Sequence, residues 1–300
     1  MSRILVPIDG SGESHSALPY ALRMARLYQS EIVLVGVAEK AYEEEPEPGK
    51  ARMGLEEHLG KLREAFEKMG VPISVRAASG VPAEEIVQLA DQCAADLIVM
   101  SSHGRRGTGR WLLGGVTARV MREADCPVMI TRPGEHQPGE THNAPFRRIL
   151  LPLDRSPLSE RAMDAAAYLA ERDQAHLCLL GVVDYPTWLC FQTEEKWAQR
   201  LPAVTEQYLS EQAEKLKKRG IRAYTQVCIG DPAEQILRLA ESDVDLIVMA
   251  THGYSGIARA IMGSVAERVV HHARCPVLFV RQHRGAVASP PLAEQSPSPG

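Results

Sequence analysis

Two glycine-punctuated segments carry residues whose types and spacing fit anion binding. In the second half of the chain Gly253 is followed after nine residues by Gly263-Ser264, and in the first half Gly104 is followed after nine residues by Gly114-Gly115. Each second glycine opens a helical pattern, so the backbone N–H groups and the positive helix end at Gly263 to Val265 favour a phosphate. A glycine turn can also serve only to close a tight connection, so the spacing alone leaves both interpretations open.

Other polar residues stand close to these segments. Asp9 and Asp154 each follow an apolar run that ends in proline, at positions where an aspartate can meet a ligand or hydrogen-bond its own turn. The loops also hold two corresponding histidines and two corresponding arginines, His103, His252, Arg110 and Arg259. Each of them either contacts phosphate or is satisfied within its loop or by solvent.

Several kinds of chemistry are excluded or disfavoured. The sequence holds no Walker A lysine motif and no intact G-x-G-x-x-G after a strand, which disfavours a P-loop NTPase and a classical dinucleotide domain. Ser102-His103 lacks the carboxylate and nucleophile-elbow context of a hydrolase. Neighbours such as His271 and His272 point in different directions on a helix, so they do not form a metal site. The six cysteines form no C-x-x-C pair and are interpreted as reduced and structural.

These residues belong to a unit that is present twice. An offset of 149 residues separates His103 from His252, Gly114 from Gly263 and Cys126 from Cys275. Each half alternates strands with helices in the order β-α-β-α-β-α-β-α-β, and most strands are apolar throughout, which indicates a parallel sheet covered on both faces. Right-handed crossovers then predict a doubly wound α/β sandwich.

Ligands bind such sheets where the winding direction reverses, at the carboxyl ends of the strands. If the first strand lies beside the fourth, two segments meet there in each half. They are residues 7–11 and 101–117 in the first half, and residues 152–156 and 250–266 in the second.

The length and composition predict two soluble domains. The 300 residues are 45% hydrophobic with a formal charge of −4, which gives no basic excess for nucleic acid or an anionic membrane. We predict domains at residues 1–132 and 147–281, a linker at 133–146 and a disordered tail at 282–300. The first residues lead directly into a strand and no apolar run is long enough to span a bilayer, so we expect a cytoplasmic protein.

Local signals predict how several helices begin. Ser11 is placed to cap the first helical pattern, which includes Ala17 to Leu27, and Ser156-Pro157 supplies an N-cap followed by proline in the second half. Residues 184–197 form an irregular segment without a match in the first half. Its apolar residues 188–191 either cap their own domain or form a partner or small-ligand surface.

Residues 2–132 and 147–281 each resemble a universal stress protein domain. That family carries a nucleotide-binding signature, G-x2-G-x9-G-S/T, and a Pro-x-Asp turn after its opening strand. The second half matches from Ala250 to Ser264, with alanine in place of the first glycine. The first half, from Ser101 to Gly115, departs from the signature at both ends, with serine in place of the first glycine and glycine in place of the final serine or threonine. Ser101 adds a side chain where the backbone would approach a ligand and Gly115 lacks the hydroxyl, so the second half is the better candidate for ATP.

The resemblance implies two tandem flavodoxin-like domains of the adenine nucleotide alpha hydrolase-like type, each with an ATP site. Asp9 and Asp154 would accept from the adenine amino group, Val37 and Val182 would line the adenine-ribose wall, and the glycine segments would hold the triphosphate. The implied contacts are Pro7, Asp9, Val37, Met100, Gly104, Gly114, Gly115 and Val116 in the first half, and Pro152, Asp154, Val182, Met249, Ala250, Gly253, Gly263, Ser264 and Val265 in the second.

The resemblance also implies a function and a mode of association. We expect ATP with Mg²⁺ to set a conformational or partner-binding state during stress, without catalysis. The last strands, residues 128–131 and 277–281, would pair to form an intramolecular pseudo-dimer, and a homodimer and unknown protein partners are also possible within the family. Two alternatives stay open, which are a nucleotide-independent interaction module and a slow ATP hydrolase. The second is disfavoured because no general base for water and no paired carboxylates for magnesium are evident.

Overall fold

The chain folds around one continuous β-sheet. The computed structural model describes residues 1–39, 50–103, 113–133, 145–184, 195–252 and 262–281. The first lobe comprises β1 (Arg3–Pro7), a 3-10 turn (Ser14–Ala17), α1 (Leu18–Tyr28), β2 (Glu31–Glu39), α2 (Lys50–Glu67), β3 (Ile73–Gly80), α3 (Pro82–Gln92), β4 (Leu97–Ser101), α4 (Gly115–Glu123) and β5 (Val128–Thr131). The second lobe comprises β6 (Arg148–Pro152), α5 (Pro157–Asp173), β7 (His176–Val183), α6 (Glu195–Lys218), β8 (Arg222–Ile229), α7 (Pro232–Ala240), β9 (Leu246–Ala250), α8 (Ser264–His272) and β10 (Val277–Val280).

The strand order is β3-β2-β1-β4-β5-β10-β9-β6-β7-β8. Strands within each lobe pair in parallel, and β5 pairs with β10 in antiparallel register, with Leu278 opposite Met129. The first strand therefore lies beside the fourth in each lobe, and the doubly wound flavodoxin-like fold is confirmed. The pairing of the last strands joins the two lobes into one ten-stranded sheet.

Alternate residues of the strands face opposite sides of the sheet, so each face has its own core. Ile4 and Val6 join the cluster under α1, α2, α5 and α6, whereas Leu5 joins the cluster under α3, α4, α7 and α8. Both clusters contain residues of both lobes. The sandwich is therefore covered on both faces, as apolar parallel strands require.

The first helix begins differently from the prediction. Ser11 does not cap α1, because a 3-10 turn intervenes and the Ser11 hydroxyl accepts instead from the Ser14 N–H at 3.2 Å. Pro19 lies in the first turn of α1, where proline favours a helix start. In the second lobe proline directly follows the cap, and Ser156 accepts from the Ser159 N–H at 3.1 Å as predicted.

Side chains of α1 and α5 join the lobes on one face. Arg23 forms an ion pair with Asp173, and the two side chains are 8% and 5% exposed. Asp173 also accepts from the Phe146 N–H at 3.0 Å, and the Arg23 guanidinium lies 4.7 Å from the centre of the Phe146 ring. Nearby, the rings of Tyr28 and Tyr168 stack with centroids 4.5 Å apart. The α1–α5 contact thus combines a buried charge pair with aromatic packing.

Candidate functional site

The winding direction reverses between β1 and β4 in the first lobe and between β6 and β9 in the second. Sheets of this kind bind ligands in the crevice outside the carboxyl ends of the strands at that point. Ile4 lies opposite Leu97 in the register of β1 and β4, which puts Pro7 level with Met100 at the carboxyl ends of these strands. In the second lobe the register of β6 and β9 likewise puts Pro152 level with Met249. The two segments that the sequence predicts to meet in each half therefore start side by side.

Both candidate aspartates hydrogen-bond their own turns. The Ser11 N–H and hydroxyl donate to Asp9 Oδ1 at 2.9 and 2.6 Å, and the Ser156 N–H donates to Asp154 Oδ1 at 3.0 Å. This is the local role that the sequence left open for these residues. It also holds each carboxylate in the turn that follows the first strand of its lobe.

Val37 and Val182 lie beside these aspartates. The Ile8 N–H donates to the Val35 carbonyl at 2.7 Å, and the Leu153 N–H donates to the Leu180 carbonyl at 2.8 Å, so pairing extends past β1 and β6. Continuing the register puts Val37 level with Asp9 and Val182 level with Asp154. Both valines are half-buried and pack against the core cluster that lies under α3, α4, α7 and α8.

Glycine allows α4 and α8 to begin close above the strand ends. The Gly114 N–H donates to the Ser102 carbonyl at 2.8 Å, and the Gly263 N–H donates to the Thr251 carbonyl at 3.0 Å. A Cβ atom would lie 3.2 Å from the first carbonyl oxygen and 3.3 Å from the second, which is tight. The φ angles of −62° and −65° are ordinary, so the close approach, rather than the backbone conformation, favours glycine here.

The first turns of α4 and α8 present backbone donors. The Ala118 N–H donates to the Gly114 carbonyl and the Glu267 N–H to the Gly263 carbonyl, both at 2.9 Å, so the preceding N–H groups have no acceptor within their helices. Neither glycine supplies a capping side chain. The N-termini of these helices therefore combine N–H groups that no carbonyl of their own helix accepts with the positive end of the dipole.

The side chains around the two helix starts differ. Gly115 and Val116 open α4, whereas Ser264, which is exposed, and Val265, which is half-buried, open α8. Ser101 is 5% exposed and its hydroxyl accepts from the His103 N–H at 3.3 Å, so it bonds its own turn. The first turn of α4 also holds a hydroxyl, but Thr117 is buried and its hydroxyl donates to the Ser101 carbonyl at 3.0 Å, whereas the Ser264 hydroxyl in the first turn of α8 is exposed.

His103 and His252 bond neighbouring hydroxyls. His103 Nδ1 lies 3.0 Å from Ser102 Oγ, and His252 Nδ1 lies 3.0 Å from Thr251 Oγ1. Burial lowers the pKa of both imidazoles, and a nearby arginine lowers each further. The Nε2 atom of His103 is buried without a partner among the described residues. Neutral imidazoles at these places add no charge toward an anion.

Two pairs of side chains near the aspartates were not predicted. In the first lobe His15 Nε2 lies 2.9 Å from His58 Nε2, with the ring planes 6° apart. In the second lobe the Tyr208 hydroxyl donates to Glu160 Oε1 at 3.3 Å. Each pair joins the segment after the first strand to the second long helix of its lobe. The partners are far apart in the sequence, so no local pattern could reveal them.

Some predicted residues lie outside the described part of the chain. These are Gly104, Gly253, Arg110, Arg259, residues 188–191, most of the linker and the tail. Among the described residues no group of three or more His, Cys, Asp or Glu side chains could hold a metal, and no helix is long and apolar enough to cross a membrane. Burial raises the pKa of the Cys126 thiol to about 12 and that of Cys178 to about 11, which keeps these thiols protonated, as expected for structural cysteines.

The fold and the two crevices define a tandem α/β protein of the flavodoxin-like class. The model of the universal stress protein family matches residues 1–132 and 145–281, and the chain therefore belongs to that family. Universal stress protein Rv2623 of Mycobacterium tuberculosis is 30% identical over 302 residues, which cover 93% of this chain and 96% of the relative. Universal stress protein MJ0531 of Methanocaldococcus jannaschii is 35% identical over 138 residues, 43% of this chain and 81% of the relative.

A solved structure shares the tandem arrangement. The crystal structure of a universal stress protein from Archaeoglobus fulgidus superposes with a TM-score of 0.73 at 22% identity, covering 93% of this chain and 98% of that chain. At this identity the likeness concerns the fold. Family and fold thus agree on two universal stress protein units in one chain.

Proposed function

We propose that the protein binds ATP in the crevice of each lobe, more tightly in the second, and that occupancy sets a conformational state that partner proteins read during stress. The observation that carries this proposal is the start of α8, where Gly263 brings three N–H groups without helical acceptors to the carboxyl ends of β6 and β9. Such an arrangement favours a phosphate chain.

The remaining proposed contacts to ATP lie at the carboxyl ends of the strands that border each crevice. An adenine ring would lie between the half-buried valine and the aspartate of each lobe, and the phosphates would lie on the helix start. Mg²⁺ commonly binds through substrate phosphates and water, so we expect it to arrive with ATP. The proposed contacts are Pro7, Asp9, Val37, Met100 and Gly114 to Val116 in the first lobe, and Pro152, Asp154, Val182, Met249, Ala250 and Gly263 to Val265 in the second, with Gly104 and Gly253 outside the described residues.

The second site is proposed as the stronger one for two reasons. The exposed Ser264 hydroxyl can donate to a phosphate oxygen, whereas Gly115 has only its N–H. Ala250 is smaller than Ser101 at the place where the backbone would approach the ligand. Both differences favour the second crevice.

An equilibrium titration with Mg·ATP tests the proposal through stoichiometry and affinity. Gly263→Val places a side chain against the Thr251 carbonyl and should abolish the tighter site, whereas the matched variant Gly114→Val should affect only the first lobe. Gly54→Ala serves as a control, because a Cβ there meets nothing within 4 Å. It should bind as the unaltered protein does.

Three results would count against the proposal. No binding up to millimolar ATP, where a site of about −4 kcal/mol is half filled, would reject it. Binding that is unchanged in both valine variants would reject the proposed sites and favour the nucleotide-independent interaction module. Phosphate release above a buffer control that Gly263→Val abolishes would favour the slow hydrolase over a binding switch.

A further inference from the structure

Two arginines that follow the central strands reach into the opposite lobe. Arg132 follows β5, and its Nε and Nη2 donate to the carbonyls of Ala273 and Val270 at 2.9 and 2.5 Å. Arg281 follows β10, and its Nη2 donates to the Arg122 carbonyl at 2.9 Å while its Nη1 donates to the Ala124 carbonyl. The two arginines are related by the same 149-residue offset as the helices that they contact. The contact is therefore reciprocal.

The antiparallel pairing at the centre of the sheet explains this exchange. Val277, at the start of β10, lies opposite Ile130, near the end of β5. Since α8 ends at His272, shortly before β10 begins, the residue that follows β5 emerges beside the last turn of α8. The same relation holds for β10 and α4.

Each guanidinium satisfies groups that the helix itself leaves unpaired. The last carbonyls of a helix have no intrahelical donor, and they form the negative end of the dipole. A guanidinium that donates to two of these carbonyls is therefore stabilised both by the hydrogen bonds and by the negative end of the helix dipole. Arg281 is only 9% exposed, so its bonds are shielded from water.

The helices held in this way are the two that begin at the proposed phosphate sites. A helix of nine residues is about 13 Å long and moves as a rigid rod. Within its own lobe, α8 is tied by Arg268 to Asp231 of the α7 N-cap at 2.6 Å, near the middle of the helix. The last turn is tied to the other lobe by Arg132. Loss of that second tie would let α8 pivot and shift its first turn.

We propose that Arg132 is a positioning residue for the nucleotide site of the second lobe, and that Arg281 is the corresponding residue for the first lobe. This inference rests on the proposed function, because it concerns the affinity of those sites. Each lobe then contains an arginine that sets the nucleotide affinity of the other lobe. A merely structural role would predict no such crossed dependence.

Valine-methyl NMR of the full-length protein can measure each site separately. Val116 and Val265 lie in the first turns of α4 and α8 and report the two crevices during a titration with Mg·ATP. We expect Arg132→Ala to weaken the binding seen at Val265 by at least about fivefold, the lower end of typical coupling between sites. The dissociation constant reported by Val116, where that site binds, should change by a clearly smaller factor, because there Arg132→Ala only removes a charge near His103. Arg281→Ala should give the opposite pattern.

Controls separate positioning from loss of fold. Arg161→Ala removes an exposed arginine of α5 and should change neither constant. If Arg132→Ala does not fold, Arg132→Lys keeps the charge and loses the paired donors, and it should give a weaker effect of the same crossed kind. Amide exchange without nucleotide should speed up in α8 for the Arg132 variants and in α4 for the Arg281 variants.

The outcomes distinguish the two proposals. No saturable shift at either valine in the unaltered protein would overturn the ATP function and this inference together. Normal binding in the unaltered protein, with Arg132→Ala weakening both sites equally or neither, would overturn the positioning role and leave the ATP function standing.

Discussion

Replacing Asp173 by asparagine would measure how strongly the buried ion pair between α1 and α5 holds the two lobes together. The substitution keeps the shape and an acceptor for the Phe146 N–H, and it removes only the charge that faces Arg23. Removing one partner of a buried ion pair typically costs about 3–5 kcal/mol, because the remaining charge stays desolvated. With side chains 8% and 5% exposed, this pair belongs to that class.

The magnitude can be divided further. Because asparagine still accepts the Phe146 N–H, we expect Asp173→Asn to lower the free energy of unfolding by about 3 kcal/mol, at the lower end of that range. Asp173→Ala should cost about 1–3 kcal/mol more, because it leaves the buried Phe146 N–H without this acceptor. The double variant Arg23→Met with Asp173→Asn leaves no unpaired charge and should recover most of the loss.

Urea unfolding followed by circular dichroism measures these differences. The exposed pair of Arg52 and Glu56, 50% and 47% exposed, provides the matched control, and Glu56→Gln should change stability by less than about 0.5 kcal/mol. If Asp173→Asn costs no more than Glu56→Gln, the ion pair is hydrated in solution. The docking of α1 against α5 would then be wrong.

Two further predictions concern pH and packing. Burial first, and His58 second, lower the pKa of His15 below its ordinary 6.5, so the unfolded chain binds more protons there. The contribution of His15 to the free energy of unfolding should be fully present above pH 6.5 and be lost as the pH falls below it. Urea titrations at several pH values should show that His15→Gln reduces the slope of the unfolding free energy against pH by at most about 1.4 kcal/mol per pH unit. An unchanged slope would show that His15 is not its origin. Gly36→Ala should lower the free energy of unfolding by about 1–3 kcal/mol, because its Cβ would lie 2.7 Å from Leu55 Cγ. Gly60→Ala in α2 should raise it by about 0.5–1 kcal/mol, because the Cβ there meets nothing within 4 Å and alanine favours a helix over glycine. Equal urea midpoints for the two alanine variants would refute the packing argument.

Much of the fold could be predicted because its signals are local or periodic. Apolar runs such as 4–6 mark strands, prolines such as Pro82 and Pro232 open helices, and the constant offset marks the repeat. Together with the handedness rule these signals restrict the topology to a few arrangements. Helix starts depend on more than the capping residue, because Ser11 and Ser156 each follow an aspartate by two residues, yet proline directly follows only Ser156 and lies eight residues after Ser11.

In the candidate site, too, the residues marked by local signals could be predicted and those that depend on distant partners could not. The glycines at the helix starts and the aspartates after the strands could be found, because their positions follow from strand ends and spacing. The pairs of His15 with His58 and of Arg23 with Asp173 could not, because 43 and 150 residues separate the partners. Arg132 was also missed, since it bonds main-chain carbonyls and no residue type marks its partner.

The antiparallel seam between β5 and β10 has a consequence for how the two halves can change. Tethering makes their association intramolecular, so it does not weaken on dilution as a dimer of separate chains would. In a symmetric dimer every substitution appears on both sides of the seam, whereas here each half meets only the other half. A substitution at position 101, where the first half has serine and the equivalent position 250 of the second half has alanine, therefore alters one crevice and leaves the other intact. One fused chain can in this way keep two unequal halves in a fixed ratio.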